Sequence, residues 1–197
     1  MGLKLESHRL RLPDSTLYYV ANWCDARDAD RLFDSLRTEL PWQQGDVKLF
    51  GKVYKTPRLQ SWHGDTGIRY TYSNVELQAH NWTPSLSELR NRLLSLDIET
   101  NSVLANFYRD GKDSMGWHRD NEPELGKEPL IASVSLGAER DFILRHRGNQ
   151  QRHVIRLEHG SLLIMAGTTQ HYWEHALPKR MRVDTPRINL TFRQIKR

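Results

Sequence analysis

The sequence predicts an α+β chain that is mainly β, and three observations carry that expectation. Two segments in the first hundred or so residues repeat apolar side chains at helical spacing. From about residue 100 onward, short runs rich in β-branched and aromatic residues follow one another, punctuated by Gly, Asn or Pro, with no long helix between them. Parallel sheets need helical crossovers, so the run argues for an antiparallel sandwich or barrel behind an N-terminal α/β portion. A length of 197 residues suits one continuous core and is short for two, which predicts a single domain over residues 1–197.

In chain order, "DARDADRLFDSLRTELPW" predicts the first helix. Leu32, Phe33, Leu36 and Leu40 share a face, Asp25 is the expected N-cap, and Pro41 marks the stop. "TPSLSELRNRLLSL" predicts the second, with Thr83 as cap, Pro84 in the first turn, and Leu86, Leu89, Leu93 and Leu94 as the buried stripe. The strands follow as "SVLANFY", "LIASVSLG", "RDFILRH", "HVIRLEHGSLLIMAG" and "RINLTFRQI". No repeat, low-complexity tract or linker-like segment interrupts them.

Composition narrows the class of function. No apolar run approaches the roughly 18 residues that span a bilayer, so no membrane partner is expected. The first ten residues lack the apolar core of a signal peptide, and the single cysteine, Cys24, excludes an intramolecular disulfide framework, so a cytoplasmic location is expected. A net charge of +5 and a pI near 9.4 favour anionic partners.

The chemistry begins in "SMGWHRDNEPE". In an extended segment His118 and Asp120 point the same way, and an imidazole nitrogen with a hard carboxylate oxygen suits Fe(II) once a further His joins them. The letters HRD also open a kinase catalytic loop, but the asparagine expected five residues after the aspartate is Leu125. Downstream, "TTQHYWEHALP" offers His171 and His175, and parity does not choose between them if the stretch is extended. Read as H-x-x-E-H it matches an inverted zinc-protease motif; that chemistry needs a helix, which the strand-like "SLLIMAG" before it and Pro178 after it oppose. In "RINLTFR", Arg187, Asn189, Thr191 and Arg193 share one face, a row of donors suited to a dianion. Asn106 and Tyr108 of "ANFYRDG" are again two apart on one face, with polar tips that can reach the same ligand.

With N-x-Y, H-x-D, a distal His and R-x-N-x-T-F-R in that order, the chain resembles the AlkB family of Fe(II)- and 2-oxoglutarate-dependent dioxygenases, closest to its vertebrate-type branch that repairs alkylated DNA. The resemblance covers roughly residue 45 to the C-terminus. It implies a double-stranded β-helix (jelly roll) over about residues 101–197, behind N-terminal helices and a nucleotide-recognition lid in about 1–100. It implies His118, Asp120 and His175 as iron ligands, preferring His175 because "ALP" follows it, and Asn106, Tyr108, Arg187, Asn189, Thr191 and Arg193 as the holders of 2-oxoglutarate. Arg187 would pair with the distal carboxylate and Arg193 with the end that chelates iron.

The implied activity is oxidative demethylation of N1-methyladenine- and N3-methylcytosine-type bases in DNA, single- or double-stranded, or in RNA. It consumes O2 and releases formaldehyde, succinate and CO2, in a protein expected to act as a monomer. Phe50 matches the finger that fills the gap left by a flipped base, and Tyr72 and Tyr70 match the rings around the extruded base. Arg58 joins Lys48, Lys52, Lys55, Arg145, Arg147 and Arg152 as candidate phosphate contacts. One position departs from the family: Asn121 stands where repair members carry an acid, although Glu122 is retained. An amide still accepts a hydrogen bond but brings no charge to a cationic methylated ring, so lesion preference is where this chain is expected to differ. Two alternatives remain: the same chemistry on methylated RNA, protein or lipid, and a non-catalytic nucleic-acid-binding module.

Overall fold

A computed structural model of the protein describes residues 5–49, 52–72 and 75–196. In chain order the regular elements are β1 (Arg9–Leu10), β2 (Thr16–Val20), α1 (Ala26–Glu39), β3 (Asp46–Leu49), β4 (Lys52–Lys55), β5 (Leu59–Gly64), β6 (Arg69–Tyr72), β7 (Val75–Gln78) and α2 (Pro84–Leu94). There follow β8 (Ser102–Tyr108), β9 (Met115–His118), β10 (Ile131–Gly137), β11 (Arg140–His146), β12 (Arg152–Leu157) and β13 (Ser161–Ala166). The one-turn helix α3 (Thr169–Tyr172), β14 (Trp173–Leu177) and β15 (Arg187–Arg193) complete the chain. The fold is α+β and mainly β, and no described helix is long and apolar enough to cross a membrane.

Both long helices start and stop for local reasons. Asp25 Oδ1 accepts the Asp28 N–H at 2.9 Å at the head of α1, and the chain turns extended at Leu40, ahead of Pro41, where a proline disfavours helix in the preceding residue. Thr83 Oγ1 accepts the Leu86 N–H at 3.4 Å at the head of α2, and Pro84 occupies its first turn. Leu86, Leu89 and Leu93 are buried as expected, but Leu94 is 53% exposed. The helical period explains the correction: eight residues carry Leu94 about 80° around the axis from Leu86, whereas seven bring Leu93 to within about 20°.

The strands form two large sheets and two hairpins. A seven-stranded sheet runs β1-β2-β13-β10-β15-β8-β5, a four-stranded sheet runs β12-β11-β14-β9, and β3-β4 and β6-β7 each pair alone. Every pairing between these strands is antiparallel. The stretch "HVIRLEHGSLLIMAG" is two strands rather than one. Gly160 breaks it, with φ at +78° and Cys24 O only 2.5 Å from where a Cβ would stand. "TTQHYW" is not a continuous strand either: α3 carries His171 while His175 lies in β14, so they share neither one strand nor one helix.

Alternation along the strands builds a core on each face of the larger sheet. Ile188, Leu190 and Phe192 pack with Val103, Val134 and Ile164 against Leu32 and Leu36 of α1 and Leu86, Leu89 and Leu93 of α2. Leu104, Ile131, Leu163 and Met165 instead join Leu144, Ile155, Leu157 and Trp173 of the second sheet in a separate apolar cluster. β15 is therefore buried on both faces, and its polar residues point between the sheets rather than to water. Leu89 has no exposed surface, so Leu89→Ala is expected to cost about 2–5 kcal/mol, read as a lowered urea midpoint at unchanged slope.

Candidate active site

Two strands of the smaller sheet bring the first two groups together. His118 ends β9 and is directly opposite His175 of β14, with ring centroids 4.3 Å apart in an edge-on arrangement. Asp120 follows just beyond β9, where its backbone N–H donates to Gln170 Oε1 at 3.0 Å. One ligand atom from each of His118, Asp120 and His175 lies within 4.8 Å of the other two. His171 is exposed, and its Nε2 donates instead to Lys127 O.

The local electrostatics keep all three groups ready to ligate. A carbonyl oxygen only accepts, so the 2.9 Å bond between His118 Nδ1 and Gly116 O puts the proton on Nδ1 and leaves the Nε2 lone pair available. Burial pushes the His175 imidazole down to about 3, helped by the neighbouring His118, so it is neutral at physiological pH. Burial would raise the Asp120 carboxyl, but it is held below the usual carboxylate range, with the Arg193 guanidinium the leading opposing charge. Arg193 Nη2 donates to Asp120 Oδ1 at 2.8 Å, and both side chains are under a tenth exposed.

The inward face of β15 lines the same cavity. Residues of the larger sheet (Asn106, Tyr108, Arg187, Asn189, Thr191, Arg193) meet His118, Phe142, His175 and Leu177 of the smaller one around it. Register explains the convergence, since Arg187 is opposite Tyr108 and Asn189 is opposite both Asn106 and Ser135. Arg187 is 1% exposed and donates to Ser135 Oγ at 2.6 Å, Ala138 O at 3.2 Å and Leu157 O at 3.3 Å. All three partners are neutral, its Nε is buried with no hydrogen-bond partner among the described residues, and burial pushes the guanidinium down to about 10. Asn189 Nδ2 donates to Ser133 Oγ at 2.8 Å, and Thr191 Oγ1 to Asn189 Oδ1 at 3.2 Å.

Arg58 needs correction as a phosphate contact. Only 4% exposed, it turns inward, and its Nε donates to Asn106 Oδ1 at 2.9 Å, with Gln60 Nε2 adding a second donor at 3.3 Å. With its oxygen occupied, Asn106 has its amide nitrogen left to offer the cavity. Arg145 is also engaged, paired with Glu174 and stacked 4.3 Å over Trp117. Asn121 is exposed; Glu122 is half-buried, with Oε2 enclosed and unpartnered among the described residues. Phe50 lies outside the described residues, as do the side chains of Lys48, Tyr70 and Tyr72, whose backbones run in β3 and β6.

Several residues of the site carry no signal strong enough to find in the sequence. Ser133 and Ser135 are legible in principle, because "IASVSLG" alternates small polar and apolar side chains. Gln60, Gln170 and Arg140 have no such mark. Arg140 is 1% exposed and ties Asp110 O, Asp113 O and Pro178 O together, joining the loops after β8 and β14.

The donor set fits the metal that the motif implies. Two imidazoles and one carboxylate with open positions suit Fe(II), and the buried Arg187 guanidinium, which has no carboxylate partner among the described residues, suits the far end of a dicarboxylic acid. Comparison with known proteins agrees. The 2OG-Fe(II) oxygenase superfamily profile matches residues 16–193. The chain is 46% identical over 180 residues to mouse (Mus musculus) DNA oxidative demethylase ALKBH2, covering 85% of this chain and 75% of that one. To the bovine (Bos taurus) ALKBH2 it is 44% identical, covering 85% and 65%. To mouse alpha-ketoglutarate-dependent dioxygenase alkB homolog 3 it is 41% identical over 182 residues, covering 87% and 63%.

The chain thus spans between 63% and 75% of the length of these relatives. The solved structure of OsALKBH1 superposes with a TM-score of 0.66 at 16% identity, covering 94% of this chain and 99% of that one. A 2OG-Fe(II) family oxidoreductase from Burkholderia pseudomallei superposes at 0.58 and 15% identity, covering 91% and 84%. At such identities these structures speak for the fold alone. Fold, ligand geometry and sequence likeness converge, and the chain belongs to the AlkB family of the 2OG-Fe(II) oxygenase superfamily, closely related to its ALKBH2 and ALKBH3 members.

Proposed function

We propose that the protein is an Fe(II)- and 2-oxoglutarate-dependent oxidative demethylase of N-alkylated bases in DNA. The observation that carries this is the His118, Asp120 and His175 cluster opening onto the same cavity as Arg187. The names borne by the ALKBH2 relatives support the nucleic-acid substrate. On this reading the chain is one domain, and its seven- and four-stranded sheets are the two sheets of a double-stranded β-helix.

With Fe(II) bound, 2-oxoglutarate and O2 supply oxidation of the N-methyl carbon, ending in formaldehyde, the repaired base, succinate and CO2. The protein's part is to bind and orient. His118 Nε2, His175 and an Asp120 carboxylate are the metal's donors, and the backbone bond to Gln170 steadies the loop that carries Asp120. Arg187 holds the distal carboxylate of 2-oxoglutarate, and Asn106, Tyr108, Asn189, Thr191 and Arg193 line the rest of its length. Phe50, Tyr70 and Tyr72 serve the flipped base. Asn121 faces solvent beside the metal site, where its amide accepts from an exocyclic amine without attracting a cationic ring as a carboxylate would.

Succinate and formaldehyde release is the test, measured on oligonucleotides that each carry one methylated base in single- or double-stranded form. N1-methyladenine and N3-methylcytosine are expected to lose their methyl groups. Asn121→Asp should raise kcat/KM for these cationic bases by up to about five-fold, the effect of adding one charge at an exposed site. Succinate formation without formaldehyde from any DNA substrate would redirect the search to methylated RNA, protein or lipid.

A further inference from the structure

A second groove lies on the outside of the segment that carries His118 and Asp120. Its lining includes Arg119, Lys127, Arg147 and Lys196, with Glu128 the one carboxylate, so four cations face one anion. Tyr172 stands in the same lining with 44% of its surface exposed, and its inner face is stacked on His146.

What marks these cations is that four gather in one groove; single exposed arginines such as Arg11, Arg27, Arg37, Arg152 and Arg182 also show no ion pair among the described residues, whereas many other arginines are matched. Arg31 and Arg92 share Asp28 and Glu88, Arg90 has Asp65, Arg145 has Glu174, Arg156 has Glu139 and Arg180 has Asp141. No ion pair joins Arg119, Lys127, Arg147 or Lys196 to a carboxylate among the described residues. Like charges gathered without counter-charge repel one another, and an anionic ligand relieves that repulsion.

The backbone around the groove is held in place. His171 Nε2 donates to Lys127 O, Arg147 Nη1 donates to His171 O at 3.1 Å, and Lys196 N donates to Glu124 O at 2.7 Å. Arg119 stands between two of the candidate metal ligands, and the Asp120 N–H bonds to Gln170, the residue before His171. The groove and the catalytic cavity therefore share one segment of chain.

We propose that this groove seats the phosphodiester backbone of the strand carrying the target base, on the flank beyond the nucleotide held in the cavity. The inference rests on the demethylase reading. Phosphates meet the unpaired cations, and the free face of Tyr172 offers a base a surface to stack on.

The test compares two single-stranded DNA substrates with N1-methyladenine, a trinucleotide and an oligomer of about 16 nucleotides, the upper span of one strand-binding fold. The protein is used as it is, and as a Lys127→Gln/Lys196→Gln double variant at two exposed positions outside the catalytic cavity. Wild type is expected to bind the longer strand more tightly, with a steep loss of affinity as salt rises. The double variant should bind it about ten-fold more weakly, with a log–log salt slope flatter by about 0.7 for each phosphate that is no longer neutralised. Its kcat/KM on the trinucleotide should be unchanged. Affinity and salt slope equal to wild type on the longer strand would overturn the groove, as would equal loss on both substrates. Absence of formaldehyde from either substrate with wild type would instead overturn the demethylase reading, and the binding isotherms keep the two failures apart.

Discussion

Asp120→Ala is expected to abolish 2-oxoglutarate turnover, with a loss well beyond the roughly ten- to hundred-fold that follows removal of a metal ligand's outer partner. The carboxylate is the one hard oxygen in the three-ligand cluster, and Arg193 holds it ionised. Removing it takes away the metal's anionic donor and also withdraws a charged partner of the buried Arg193 guanidinium. The second effect destabilises the protein by itself, because breaking a buried pair costs about 3–5 kcal/mol. Asp120→Asn separates the two, since its amide oxygen still accepts from Arg193 Nη2 at the position Oδ1 now occupies. Both variants should lose turnover and the thermal stabilisation that added metal gives wild type, while without metal Asp120→Asn, which keeps the hydrogen bond but not the charge, should melt above Asp120→Ala. Binding to methylated DNA should persist in Asp120→Asn, which keeps the hydrogen bond to Arg193. Turnover retained by Asp120→Asn would mean that the metal sits elsewhere.

Arg187→Met carries the next largest effect. The guanidinium is buried among neutral partners with Nε unmatched, an arrangement that is costly until a carboxylate arrives. At about 10 its pKa still leaves it cationic at neutral pH, so the attraction is present wherever the enzyme works. A hydrogen bond to a charged group contributes about 1.5–3 kcal/mol, which predicts a KM for 2-oxoglutarate raised by roughly ten- to hundred-fold. Turnover at saturating co-substrate should fall far less. Arg187→Lys keeps the charge without the planar fork and should lie between the two. The melting temperature gives an independent reading: a concentration of 2-oxoglutarate that stabilises wild type should leave Arg187→Met unshifted. A KM within two-fold of wild type would remove Arg187 from the co-substrate's site.

Much of the framework is legible in the sequence because it depends on local rules. The caps at Asp25 and Thr83, the stop ahead of Pro41 and the strands from Ser102 onward each follow from a few neighbouring residues. The departures fall where a local rule reaches too far. Leu94 lies one position past its stripe, and His171 sits where four residues close into a helical turn rather than continuing a strand. Arg58 has the sequence neighbours of a surface cation, and only the pairing of β5 with β8 turns it onto Asn106.

The ordered set N-x-Y, H-x-D, a distal His and R-x-N-x-T-F-R carries the family resemblance that implies the chemistry, while donor type and alternation show only which side chains share a face. Tertiary structure decides which histidine meets them. His171 and His175 are near neighbours in sequence, but only β14, paired between β9 and β11, carries its histidine to the face where His118 stands. It also decides that the arginine strand looks inward, since alternation gives β15 two faces and only the sheet packed across the cavity says which is dry. Spacing along a chain sets which side chains share a face, and the pairing of distant strands sets what that face meets.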